Sequence, residues 1–195
     1  MRTVDEPIEE LMTAAQEPRQ NPPRSDGRDT GHERLPHLDA TGAARMVDVT
    51  AKGSSARTAT ATGCVLLSTA AVSALRADEV PKGDALAVAR IAGIQGAKRT
   101  PDLVPLCHPI AVHGVDVHLE VTDRGVEIAA TVRTADRTGV EMEALTCVMT
   151  AALGLIDMIK ALDPEACVVD VRLEEKTGGT SGDWRRSGER DVPGT

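Results

Sequence analysis

The sequence predicts an α+β domain in which an antiparallel sheet is covered on one side by helices, one of them long and buried. Three observations predict it. Short segments with period-two alternation occur three times. Two of them flank the turn signal Asp123-Arg124-Gly125. The stretch Gly139 to Leu162, GVEMEALTCVMTAALGLIDMIKAL, carries charges only at its ends, with none from Ala144 to Ile156. A helix apolar nearly all round is a buried one. The resulting order is strand, helices, strand, hairpin, strand, long helix, strand. That is the β-α-β-β-α-β order of a ferredoxin-like sandwich, with the first crossover split into two helices.

Residues 1–36 differ from the rest. Prolines fall at 7, 18, 22, 23 and 36, and the segment from Gln16 to Arg34 is polar and charged. Such a composition does not bury enough to offset its ordering entropy, and the segment is expected to be a disordered tail. The folded domain is expected over 37–184, and a flexible tail over 185–195. The first strand is Arg57 to Leu67, rich in alternating Thr. Ser68 or Thr69 caps a helix to about Ala77. A turn at Pro81-Lys82-Gly83 leads to a second helix, about Asp84 to Ala97. Leu103 to Ile110, LVPLCHPI, holds two prolines and is irregular. Strands follow at Val112–Val121 and Val126–Val132. Thr138 or Gly139 is expected to cap the long helix, and Asp163-Pro164 to end it. A last strand spans Ala166–Leu173. Lys176 to Trp184, KTGGTSGDW, reads as a glycine-rich loop leading to the tail.

Composition excludes several functions. The chain has 195 residues, 41% hydrophobic and 1% aromatic, with no Phe, no Tyr and one Trp. Nucleic-acid binders stack bases on aromatic side chains and neutralise phosphates with an excess of basic residues. The formal net charge of −8 fits neither need. Cys64, Cys107, Cys147 and Cys167 lack CxxC spacing, so no zinc ribbon is signalled and the thiols are expected to be reduced. No uncharged apolar run reaches 18 residues, and the acidic start MRTVDEPIEELM lacks a signal-peptide core. A cytoplasmic protein, free of membrane and nucleic acid, is expected.

Asp157 and Lys160 are three residues apart and share a helix face. Spacing alone favours an ordinary surface ion pair over the alternative, an acid/base pair at the mouth of a pocket. His108, between Cys107 and Pro109, reads alone as a structural histidine, and TGGTSG alone as a linker. GxxxxGK[ST] is absent.

Taken together, VDVTAK (47–52), PKGDALAVARIAGIQGAKRT (81–100), LVPLCHPI (103–110), GVEMEALTCV (139–148), IDMIKAL (156–162) and KTGGTSGDW (176–184) resemble the cyclic pyranopterin monophosphate synthases, the molybdenum cofactor biosynthesis protein C family. The resemblance runs from about His37 to Trp184. It implies a ferredoxin-like fold and a hexamer built from dimers. It implies a lyase that rearranges 3′,8-cyclo-7,8-dihydro-GTP to cyclic pyranopterin monophosphate and releases diphosphate. Asp157 and Lys160 match the family's acid/base pair. Leu106, Cys107, His108, Met142 and Glu143 match substrate-contacting positions. Lys52, Arg57, Lys82, Glu141 and Lys176 match polar positions lining the site, and Lys52, Lys82 and Lys176 are expected to neutralise the triphosphate. No resident cofactor or protein metal site is implied, Mg2+ entering only as a companion of the triphosphate. The radical-SAM enzyme that supplies the substrate is an expected transient partner. Thr180 departs from the family, which commonly has a basic residue there. The rival reading is a non-catalytic small-molecule-binding paralogue on the same fold.

One expectation follows from geometry. Glu143 and Asp157 are fourteen residues apart on one helix, roughly 21 Å at 1.5 Å per residue. Both serve one site only if two chains build it.

Overall fold

The computed structural model describes residues 41–188, and the expected tail over 1–36 lies outside them. The elements are β1 (Ser55–Leu66), α1 (Thr69–Arg76), α2 (Ala85–Lys98), α3 (Thr100–Leu103), β2 (Gly114–Thr122), β3 (Gly125–Asp136), α4 (Glu141–Ile159), β4 (Cys167–Thr177) and β5 (Trp184–Arg185). The strands form one sheet in the order β2-β3-β1-β4-β5, with every neighbouring pair antiparallel. The first four give the expected ferredoxin-like order. The short β5 adds an edge by pairing Trp184 with Lys176.

The inner face of β1 carries Ala59, Ala61, Gly63 and Val65, against which α4 packs. With no Phe or Tyr to fill space, small residues let the sheet and helices approach closely. A Cβ at Gly63 would stand 2.7 Å from Val148 Cγ1. Gly96 in α2 faces Thr150 of α4, where a Cβ would overlap the threonine side chain. By length and composition α4 would also suffice to cross a membrane, but 56% of its apolar window is buried in the fold, the position of a core helix.

Local chemistry sets the boundaries. Ser68 caps α1 by accepting from the Ala71 N–H (3.4 Å), and Asp84 caps α2 by accepting from Ala87 N–H (2.8 Å). The start of α4 differs from expectation. Val140 holds the N-cap position without a side-chain hydrogen bond, and neither Thr138 nor Gly139 serves. Glu141 and Glu143 in the first turn complement the helix dipole instead. The helix ends at Ile159, so Lys160 to Leu162 form a turn rather than its last residues.

Two strands run further than expected. β3 continues to Asp136, paired with β1 as far as Ser55. β4 continues to Thr177, with register shifts against β1 between Thr60 and Ala61 and between Thr62 and Cys64. The shifts leave Asp170 and Glu174 as extra residues. They put Lys176 opposite Ala59, whose side chain lies on the helix-covered face. Directly opposed residues share a face, so Lys176 reaches the start of α4. KTGGTSGDW is therefore a hairpin between paired strands rather than a linker. Arg186 donates to Leu173 O at 2.9 Å, tying the beginning of the expected C-terminal tail to the sheet.

Candidate active site

At one end of the sheet, the segment before β1, the loop after α3, the end of β3, the start of α4 and the β4–β5 hairpin converge. They enclose two adjoining cavities. The larger, about 350 Å3, is lined by Val47, Val49, Lys52, Leu106, Cys107, His108, Thr138, Gly139, Glu141, Met142 and Glu143. The smaller, about 140 Å3 and strongly polar, is lined by Lys52, Arg57, Arg137, Lys176, the loop from Thr177 through Ser181 and their neighbours. Lys52, Thr138, Gly139 and Glu141 belong to both linings and mark the junction. Nine of the twelve residues singled out from the sequence thus meet in the two linings.

Each is held by local contacts. His108 Nε2 lies 2.7 Å from Val47 O, which fixes that nitrogen as a donor and ties the LCHP loop to the segment before β1. Cys107 lies beside Glu143, and burial, reinforced by that carboxyl, pushes its thiol up, which disfavours the thiolate. Glu143 is 3% exposed. Burial pushes its carboxyl up to about 7; Glu141 nearby adds to the rise, and its own backbone N–H works against it. The larger cavity thus has a wall that can carry a proton near neutrality.

The smaller cavity is cationic. Arg57 Nε donates to Asp136 O at 3.0 Å. Lys176 Nζ donates to Ser181 Oγ at 2.6 Å and pairs with Glu141 at 3.5 Å. Gly178 and Gly179 both have positive φ, +82° and +80°, and a Cβ at Gly179 would collide with the Arg57 guanidinium. The glycines let the hairpin lie directly over that guanidinium.

The remaining three residues lie at the far end of α4. Asp157 accepts from Lys160 (2.9 Å, Oδ1) and from Lys82 (3.1 Å, Oδ2), and Lys82 also donates to Asp157 O at 2.6 Å. Hydrogen bonds from Lys160 and then Lys82 hold the Asp157 carboxyl below its usual range. Lys82 was expected with Lys52 and Lys176. The turn closed by the Gly83 N–H to Val80 O bond instead directs it onto the end of α4. Neither cavity lining includes this cluster. Among the described residues, no group of three or more His, Cys, Asp or Glu side chains is arranged to hold a metal ion.

The model of the MoaC family matches residues 46–179, well over half of the chain. The chain belongs to this family. A cyclic pyranopterin monophosphate synthase from Streptomyces coelicolor is 62% identical over 168 residues, covering 86% of this chain and 98% of the relative. One from Streptomyces avermitilis is 66% identical over 155 residues, covering 80% and 91%. One from a Nocardioides species is 62% identical over 156 residues, covering 78% and 96%. The matched segment contains all twelve residues singled out above.

Sequence reasoning missed Val47, Val49, Arg137 and Ser181. The valines lie in the VDVTAK motif, where their alternation was the available signal. Arg137 immediately precedes the TGVEMEAL motif, a basic residue at the mouth of a helix N-terminus.

Proposed function

We propose that this chain is a lyase of molybdenum cofactor biosynthesis that converts (8S)-3′,8-cyclo-7,8-dihydroguanosine 5′-triphosphate to cyclic pyranopterin monophosphate and diphosphate. The observation that carries the reading is the pair of adjoining cavities, one weakly polar and ring-sized, the other cationic, with Lys52 and Glu141 between them. A fused-ring nucleotide carrying a triphosphate has that division of chemistry. The ring system enters the larger cavity against Met142, Leu106 and the protonatable Glu143. The phosphates enter the smaller one, where Lys176, Arg57 and Lys52 stabilise the charge that develops as the Pα–O–Pβ bond breaks and a cyclic phosphate closes. No resident cofactor takes part; Mg2+ travels with the triphosphate.

The rearrangement needs proton transfers, and the groups suited to them are Asp157 and Lys160. Roughly 21 Å of helix separates Asp157 from Glu143. We infer that the enzyme is an oligomer whose sites each join two chains. The solvent face of the helical layer supports this. Met149 and Leu153 on α4 are 54% and 63% exposed, and Ile91 on α2 is 56% exposed. Leu153 and the 60% exposed Leu103 line one depression on this face, apolar surface that water does not favour. A two-fold axis near Thr150, midway between positions 143 and 157, packs α4 antiparallel to its copy. Asp157 of one chain then lies beside Glu143 of the other, and Lys160 of one beside Glu141 of the other, a match of opposite charge. Family resemblance extends the dimer to a hexamer of three dimers, working in the cytoplasm and receiving substrate from a radical-SAM enzyme by transient contact.

The test is conversion of enzymatically prepared cyclised dihydro-GTP, following diphosphate release and pterin fluorescence after oxidation. Wild type is expected to turn over and Lys160→Ala to lose turnover. A folded oligomer that binds the substrate without product would leave the non-catalytic reading in its place.

A further inference from the structure

The four cations of the smaller cavity are not equally committed. Arg57 is anchored through Nε to Asp136 O, with its terminal N–H groups left for the cavity, and Lys176 is engaged by Ser181 and Glu141. Lys52 stands at the junction, within reach of whatever fills the larger cavity. Arg137, like Arg57 and Lys176, lines only the smaller cavity. Its backbone N–H is fixed by the Asp136 carboxylate at 2.7 Å, while its guanidinium has no protein partner among the described residues. One aspartate therefore organises both arginines, its carbonyl holding Arg57 and its carboxylate setting the backbone of Arg137. The lining sets four cations against one carboxylate, Glu141, so the cavity is built for a multiply charged anion. A guanidinium presents a fork of N–H donors that matches paired phosphate oxygens.

We propose that Arg137 is the residue that grips the distal phosphates, and hence the leaving diphosphate. It then determines the preference for a triphosphate over a monophosphate. The inference rests on the functional reading above and adds to it a residue that neither the motifs nor the family comparison assigns. Arg137 is exposed, so its removal leaves the core intact, and its effect is on anion binding.

The experiment titrates the full-length oligomer with inorganic diphosphate, tripolyphosphate and monophosphate by calorimetry. Trp184, the only tryptophan and the partner of Lys176 across the hairpin, supplies a fluorescence readout. Losing a charge-assisted contact of this kind weakens binding about tenfold or more. Arg137→Ala is expected to lose that factor for diphosphate and tripolyphosphate, with little change for monophosphate. Arg137→Lys should fall between, keeping charge without the fork. Arg133→Ala, which removes a guanidinium committed to Asp116 on the neighbouring strand, should titrate as wild type. Diphosphate binding by Arg137→Ala equal to wild type would overturn the inference alone, as would a wild type that turns substrate over yet ignores millimolar diphosphate. A wild type that neither binds these anions nor makes product would overturn the functional reading with it.

Discussion

Replacing Glu143 by Gln removes the titratable proton from the buried wall of the larger cavity while keeping nearly the same shape. Burial raises this carboxyl from its ordinary 4.5 to about 7 in the folded chain. Between those values the folded state holds a proton that the unfolded state has released, so stability falls as pH rises. The contribution is fully present below the unfolded value and is lost as pH climbs through the folded one. The gap of about 2.5 units corresponds to about 3 kcal/mol for a protomer. Glutamine carries no such slope. The stability advantage of Glu143→Gln over wild type should therefore grow by about 2–3 kcal/mol between about pH 5 and about pH 8. The proposed assembly brings Lys82 and Lys160 of a second chain near Glu143 together with one Asp157. That net positive charge opposes burial and makes the oligomer's figure smaller, with the same sign. The assay is urea unfolding followed by circular dichroism at fixed protomer concentration, since association shifts apparent stability. Parallel pH profiles for the two proteins, or a wild type that gains stability with pH relative to Glu143→Gln, would refute the reasoning.

The other predictions concern the far end and the outer face of α4. Lys82→Met removes one of the two lysines hydrogen-bonded to Asp157. The Asp157 carboxyl should move up towards its usual range, and the acidic limb of the kcat/KM profile against pH should move up with it; an unmoved limb would separate Asp157 from the chemistry. Leu153→Glu puts a charge on the exposed apolar patch. It should cost the assembly about 2 kcal/mol or more, seen as dissociation in sedimentation velocity with unchanged circular dichroism, and an intact oligomer would exclude this face as the contact.

The strand order was legible because alternation is local. Valines at 115, 117 and 121 with Leu119 in the series, and the turn at Asp123-Arg124-Gly125, fix a hairpin without reference to distant residues. Ser68 and Asp84 were legible as caps for the same reason. The start of α4 was not, because Gly139 is crowded by the Glu141 carboxylate and Thr138 serves the cavity wall instead. The face presented by Lys176 depended on two extra residues in β4, and bulges leave no period to read. Motif resemblance brought the site residues to notice, but their division into two groups came from tertiary structure. Lys82 follows its turn to Asp157, and Arg137 becomes notable only when Arg57 and Lys176 are seen to be anchored to protein partners.

The central claim is that one active site takes Glu143 from one chain and Asp157 from another. The direct measurement mixes two inactive variants, Glu143→Ala and Asp157→Ala, under conditions that exchange subunits, and assays conversion of cyclised dihydro-GTP. In a mixed dimer, one of the two sites carries both alterations and the other carries neither. Random exchange makes about half of the dimers mixed, each with one intact site, so recovery of about a quarter of wild-type activity is predicted. No recovery in oligomers shown to contain both variants would contradict the shared site.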